Sequence, residues 1–168
     1  MTDAPPVYVA ERKRNILVNT ALGGRLLSAL MLPWFMAWPP KVFGVLTTTG
    51  RTTGKKRRKC IRVIRAGDAA YLVSIRPTGW LQNIRANPRA RLRLRGGRFA
   101  GVARELPDAG EKEQAIAAYA STVTAFDYTE CLMWRRGRPT RPKIEELHRT
   151  WCDVGTVLAV DLDAASVS

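Results

Sequence analysis

Histidine occurs once in this chain, as His148, and cysteine three times, as Cys60, Cys131 and Cys152. None of the cysteines stands at Cys-x-x-Cys spacing, so neither a zinc site nor a disulfide scaffold is expected, and no metal is assigned. A reducing, cytoplasmic setting follows as the default. The cysteines read as small core or half-buried residues, and His148, in the helical pattern Lys143 to Arg149, reads as a helix C-terminal cation. Acidic residues are scarce as well: 14 Asp and Glu stand against 28 Lys and Arg, a net charge of +14 in 168 residues. That surplus calls for an anionic partner, whether nucleic acid, a lipid headgroup surface or a polyanionic small molecule. Long apolar runs are also missing. Leu26 to Trp38 falls short of the roughly 20 residues that cross a bilayer, and Pro33 interrupts it. No repeat or low-complexity tract is evident, and the length suits one main domain.

What the sequence does contain is concentrated in Thr47-Thr48-Thr49-Gly50-Arg51-Thr52-Thr53-Gly54-Lys55-Lys56-Arg57-Arg58-Lys59. The stretch follows apolar Val42 to Leu46 and leads into Ile61, Val63 and Ile64, an order that fits strand, tight turn, strand. Two glycines let the backbone turn and expose its amides. The threonines add donors, and Arg51 and Arg57 supply planar forks suited to phosphate or carboxylate. This is the chemistry of an anion cradle. It is not the nucleotide loop G-x-x-x-x-G-K-[ST], because only three residues separate Gly50 from Gly54 and Lys55 is followed by Lys56. A solvated hairpin turn, or a basic stretch read by nucleic acid or an import receptor, fits the same residues.

From Ile16 to Leu46 the only charges are Arg25 and Lys41, and Leu26, Leu27, Leu30, Met31, Phe35 and Trp38 recur near helical spacing. A helix is expected here. It either packs against the domain or a second subunit, or lies in a membrane interface with Trp34 and Trp38 at headgroup level. Arg12, Lys13 and Arg14 are too far upstream of the apolar stretch, and Ala37-Trp38-Pro39-Pro40 too poor a cleavage site, for a secretory signal. Met1 to Pro6 reads as a loose terminus. The chain thus divides into a tail and apolar helix over residues 1–40 and a main domain over 41–168.

That domain reads as α+β, mainly β. Ile61 to Arg65 and Ala69 to Ser74 are strand candidates, and Trp80 to Ala86 is a short helix capped by Thr78 and stopped at Asn87-Pro88. Ala90 to Arg95 alternates strictly, with aliphatic residues toward a core and arginines toward solvent or an anion. Gly96-Gly97 marks a hairpin into Phe99, Gly101 and Ala103. Asp108 and Glu111 suggest a capped helix with Ala115, Ile116 and Tyr119 on one face. Phe126 to Pro142 reads as irregular, and Thr156 to Leu162 as a closing strand. A small barrel would close such a meander without open edges.

Leu46 to Gly54 with Arg57, then Trp80-Leu81-Gln82-Asn83-Ile84-Arg85-Ala86-Asn87-Pro88, then Ala103-Arg104-Glu105-Leu106 together resemble the deazaflavin-dependent nitroreductase and quinone reductase family. The resemblance runs from about Val45 to Leu106. It implies a split β-barrel of antiparallel strands with peripheral helices, holding coenzyme F420, an 8-hydroxy-5-deazaflavin with a phosphate and a polyglutamate tail. By position, Arg51 and Arg57 would grip the phosphate with Thr53 and the Gly54 amide, Lys55, Lys56 and Arg58 would extend the grip along the tail, and Ser74, Trp80 and Asn83 would lie beside the ring. Trp80 fits a core anchor equally well, and Asn83 a brace for the Asn87-Pro88 turn. The reduced cofactor would pass a hydride to a lipophilic small-molecule acceptor, a quinone, enone or nitroaromatic, with Tyr119 or Tyr128 as candidate proton donors. The region after Tyr119 departs from the family's closely spaced tyrosines, so nitroaromatic activity does not follow from the resemblance; a quinone, an enone or an unsaturated lipid fits the apolar amino-terminal helix better.

Three alternatives stay open. Related split barrels use flavin mononucleotide (FMN). A basic nucleic-acid binder would use Arg91, Arg93 and Arg95, but no recognition motif accompanies them. A module on the anionic inner face of the membrane would use the apolar helix. A homodimer is also compatible with the sequence.

Overall fold

The computed structural model describes residues 21–107 and 109–163. The Met1 to Pro6 tail, the Arg12 to Arg14 cluster and the Asp108 cap lie outside the described residues.

Helix α1 (Ala21–Ala37) precedes strands β1 (Phe43–Thr49), β2 (Lys56–Arg62), β3 (Ile64–Ala66) and β4 (Ala69–Ser74). Helix α2 (Gly79–Ala86), strands β5 (Arg89–Leu94) and β6 (Gly97–Glu105), helices α3 (Ala109–Ser121), α4 (Ala125–Trp134) and α5 (Arg141–Val154), and strand β7 (Thr156–Leu162) complete the chain. All strand pairings are antiparallel, in the order β2-β1-β5-β6-β7-β4-β3. The two edge strands of this order, β2 and β3, are separated in sequence by Val63 alone. Chain continuity therefore draws the two edges of the sheet together, and the sheet curls into a barrel. The α+β, mainly β split barrel expected above is the fold observed.

Strand alternation sorts the side chains into two cores. Ala70 and Leu72 of β4 and Leu158 and Val160 of β7 join Leu46, Leu92, Leu94 and Phe99 in one cluster, closed by Leu81 and Ile84 of α2. Tyr71, Val157 and Ala159, on the opposite face of the same strands, pack against Ala115, Tyr119, Trp134, Ile144, Leu147 and Trp151 of the three later helices. Each fully buried large apolar side chain contributes about 1.5–3 kcal/mol. Strand β5 follows the alternation read from sequence: Ala90, Leu92 and Leu94 are buried while Arg91 is exposed. Where β6 crosses β7, a Cβ on Gly101 would lie 2.2 Å from the Asp161 carbonyl oxygen, so this position admits only glycine.

Four local readings change. The β5–β6 turn is Arg95-Gly96 rather than Gly96-Gly97, because Leu94 pairs with Gly97. Residues 125–134 are helical, not irregular: Asp127 turns its carboxylate back onto the Thr124 amide and hydroxyl and starts α4. His148 lies inside α5 and is buried, so it is not a C-terminal cation. Helix α1 continues through Pro33. It rests on the barrel through Phe35, which meets Phe43 at 6.1 Å between ring centroids.

Candidate active site, a basic cleft beside an apolar pocket

Residues Gly50 to Lys55 link β1 to β2. The Gly50 amide donates to the Lys55 carbonyl (2.8 Å) and the Gly54 amide to the Gly50 carbonyl (2.8 Å), folding the loop back on itself. Gly54 has φ of +66°, a conformation that favours glycine. A Cβ on Gly50 would come within 3.1 Å of the Lys55 carbonyl oxygen and 3.2 Å of Thr53 Oγ1, so the tight loop depends on both glycines. Asn83 sets the loop on α2. Its Oδ1 accepts from the Arg51 amide (3.2 Å) and its Nδ2 donates to Thr48 Oγ1 (3.1 Å). Asn83 and Thr48 are both buried. Thr78 caps α2 by accepting from the Leu81 amide, and its hydroxyl lies 3.0 Å from Ser74 Oγ, which donates to the Arg76 carbonyl (2.8 Å). The loop carrying Arg76 is thereby pinned to the end of β4.

These elements enclose a cleft of about 880 Å³ lined by Gly50 to Thr53, Arg57, Arg58, Lys59, Arg76, Trp80 and Asn83, among others. Five of its lining residues are Arg or Lys and none is acidic. Asn83→Ala would leave the Thr48 hydroxyl buried without its partner and release the Arg51 amide. We expect a loss of about 1–3 kcal/mol in thermal or urea denaturation, together with weaker anion binding in the cleft.

A second, apolar pocket of about 280 Å³ adjoins the cleft, and the two share Lys59, Arg76 and Trp80. Met31 and Phe35 of α1, Phe126 and Met133 of α4, and Tyr119 of α3 wall it. Lys59 Nζ donates to Ser28 Oγ of α1 (2.5 Å), which ties this helix to the shared rim.

A buried polar cluster reaches this pocket through Arg62 and Glu130, which line it. Arg62, at the end of β2, donates to Asp127 and to the Thr122 carbonyl. Its guanidinium carbon lies 5.1 Å from the Tyr119 ring centroid and 5.7 Å from that of Phe43. His148 Nε2 is 3.8 Å from Asp127 Oδ1. Burial, then the Arg62 charge, pushes the imidazole down to about 4, so His148 is neutral at pH 7. Glu130, one turn after Asp127, lines the pocket, and its Oε2 is buried without a hydrogen-bond partner. Oxygen and nitrogen atoms of Asp127, Glu130 and His148 lie within 4.8 Å of one another, but Arg62 already supplies the cation there.

Of the residues singled out from sequence, Arg51, Thr53, Arg57, Trp80 and Asn83 line one cleft. Gly54 and Lys55 shape its loop without lining it, and Ser74 lies beneath, holding the Arg76 segment. Tyr119 is buried in the apolar pocket wall, whereas Tyr128 is exposed and lines neither cavity. Sequence reading passed over Arg76 and Glu130. The first is signalled only by the pinned turn before α2, and the second only by its position one helical turn after the Asp127 capping residue.

No curated protein matches the chain. Among solved structures, a candidate 5-nitroimidazole antibiotic resistance protein from Bacteroides thetaiotaomicron is 14% identical, covers 73% of this chain and 74% of its own, and superposes with a TM-score of 0.52. At that identity the likeness establishes the fold alone. A structure described as an F420-H2 dependent reductase (FDR-A) is 20% identical over 71% of this chain and 93% of its own, with a TM-score of 0.48. The sequence family described as F420H(2)-dependent quinone reductase matches residues 35–135, a span that contains both the glycine-flanked loop and the Trp80 to Pro88 segment. Since this span is more than half of the 168 residues, the chain belongs to the F420H(2)-dependent quinone reductase family, oxidoreductases named for their use of reduced coenzyme F420.

Proposed function

We propose that this protein reduces a lipophilic quinone, or a related enone, with F420H2. The observation that carries the reading is the meeting of the two cavities at Trp80, Lys59 and Arg76: one is basic and polar, the other apolar. The basic cleft suits the cofactor. A phosphate with an acidic tail meets five cationic side chains and no carboxylate there, and the glycine loop lets backbone approach closely. Arg51, Arg57 and Thr53 would hold the phosphate on the loop that Gly54 shapes, Arg58 the tail with Lys55 and Lys56 beyond the cleft, and Trp80 and Asn83 the ring side, with Ser74 holding the segment beneath. When bound, the reduced cofactor supplies a hydride. The chain's own work is to align the acceptor against it and exclude water, for which Met31, Phe35, Phe126 and Met133 provide the walls. This cofactor accounts for the basic lining better than FMN, whose single phosphate would meet fewer of the cations. Titration with oxidised F420 and with FMN, followed by turnover with quinones, enones and nitroaromatics, tests the assignment. Selective F420 binding without reduction of any quinone or enone would reject the acceptor class.

A second feature supports delivery of that acceptor from a lipid surface. Leu26, Leu30 and Trp34, four residues apart on α1, and Trp38 just past its end form an exposed stripe beside the face whose Met31 and Phe35 wall the pocket. No helix among the described residues is long and apolar enough to cross a membrane. A helix with this outer face and a cationic protein behind it fits peripheral binding to anionic lipid. Leu26→Glu with Leu30→Glu should lower co-sedimentation with anionic vesicles at least tenfold while turnover of a water-soluble quinone persists. If sedimentation equilibrium without vesicles instead shows a dimer that the double variant dissolves, the stripe is a subunit interface.

A further inference from the structure

We propose that Glu130 is the catalytic acid of this pocket, the group that protonates the acceptor as it is reduced. The inference rests on the quinone or enone reading above.

Three observations place the acid there. Glu130 is the acidic residue in the wall of the apolar pocket, among Phe126, Met133 and Tyr119. Its Oε2 is buried without a hydrogen-bond partner, in a protein where a buried polar atom ordinarily has one. The nearby cation is already engaged, because Arg62 donates to Asp127 and to the Thr122 carbonyl. The charged and titratable groups facing Glu130 or lining its pocket are Cys60 and Arg62 of β2, Asp127 of its own helix, Tyr119 of α3 and His148 of α5, with Lys59 and Arg76 at the shared rim. Arg62 and Asp127 largely cancel as an ion pair, and His148 is neutral. A carboxyl in that setting holds its proton more tightly than an exposed one. Burial pushes Glu130 up to about 7, against the pull of Arg62 and aided by Asp127. An acid poised near neutrality is what proton donation at physiological pH requires. Tyr119, in the same wall, is driven the other way for this purpose: burial raises its phenol above the ordinary value, making it a weaker acid.

The step balances simply. The acceptor gains two electrons as a hydride from the reduced cofactor, which is oxidised, and one proton from the Glu130 carboxyl. The carboxyl O–H bond breaks, a new O–H bond forms on the acceptor oxygen, and the carboxylate regains a proton from solvent through the cleft once product has left.

Two measurements test this. In cofactor-free protein, 13C-carboxyl NMR of glutamate-labelled wild type, with the Glu130→Gln spectrum to assign the signal, should show Glu130 titrating near pH 7. Titration in the ordinary glutamate range overturns the proposal. With cofactor, wild-type kcat should fall as pH rises above 7. Glu130→Gln should lose about 10²-fold in kcat, with KM little changed and the fall with pH gone. Glu130→Asp, which keeps the acid one methylene farther back, should recover part of the rate. The Gln penalty should shrink for halogenated quinones, whose reduced anions are weaker bases. An equal penalty for every acceptor, or an unchanged pH profile, marks a structural role and overturns the assignment. Wild type that binds F420 but reduces no quinone or enone removes the acceptor reading instead, and the acid role with it.

Discussion

Asp127→Leu should destabilise the protein by about 3–5 kcal/mol, the usual cost of leaving one member of a buried ion pair without the other. The Arg62 and Asp127 side chains are 5% and 0% exposed, so water cannot take the place of the missing partner. Arg62 would keep only the Thr122 carbonyl and two aromatic faces. The same substitution removes the carboxylate that receives the Thr124 amide and hydroxyl, and the uncapped first turn of α4 adds about 1 kcal/mol. Against a total stability of about 5–15 kcal/mol, the variant sits near the threshold of folding. Arg62→Met combined with Asp127→Leu should recover part of the loss, since neither charge then remains to be desolvated. Urea midpoints read both. A single variant within 1 kcal/mol of wild type would mean that water reaches the pair and that the helical layer is docked on the barrel by its apolar core alone.

The second large effect concerns the basic cleft. Arg51→Ala together with Arg57→Ala should weaken F420 binding by more than tenfold. Each charge-assisted contact is worth about 1.5–3 kcal/mol. Both arginines are exposed, so solvent screening keeps their joint effect below the simple sum. The fold should be untouched, because neither side chain belongs to a core cluster. Raising the salt concentration should narrow the difference between variant and wild type. Equal affinity in the folded double variant would move the phosphate to another part of the cleft, with Arg58, Lys59 and Arg76 the remaining cations.

Much of the barrel was legible because its signals are local. The alternation of Ala90 to Arg95, the Thr78 cap, the Asn87-Pro88 stop and the closing strand Thr156 to Leu162 each depend on residues within a turn or two of one another. The glycine-flanked loop was legible for the same reason. Helix α4 was not. Its Phe, Asp, Tyr, Thr, Cys and Trp are ordinary or poor helix formers, and the arginine-rich run after it resembles a loop. Its start signal uses Asp127 where a capping box usually has Glu or Gln.

Sequence alone determined the net charge of +14, the antiparallel barrel strands and the cationic loop, since composition, period-two alternation and turn chemistry act over a few residues. Tertiary structure decided which cations converge and where the acid lies. Asn83 reaches Arg51 across 32 residues, and Arg62 reaches Asp127 across 65. Within the run Lys55 to Arg62, nothing local distinguishes the exposed Arg57 from the buried Arg62. Only the curling of the sheet, which turns the end of β2 under α3 and α4, withdraws Arg62 from water and commits it to Asp127. Glu130 is thereby left facing an arginine that is already engaged, its Oε2 without a hydrogen-bond partner beside the pocket.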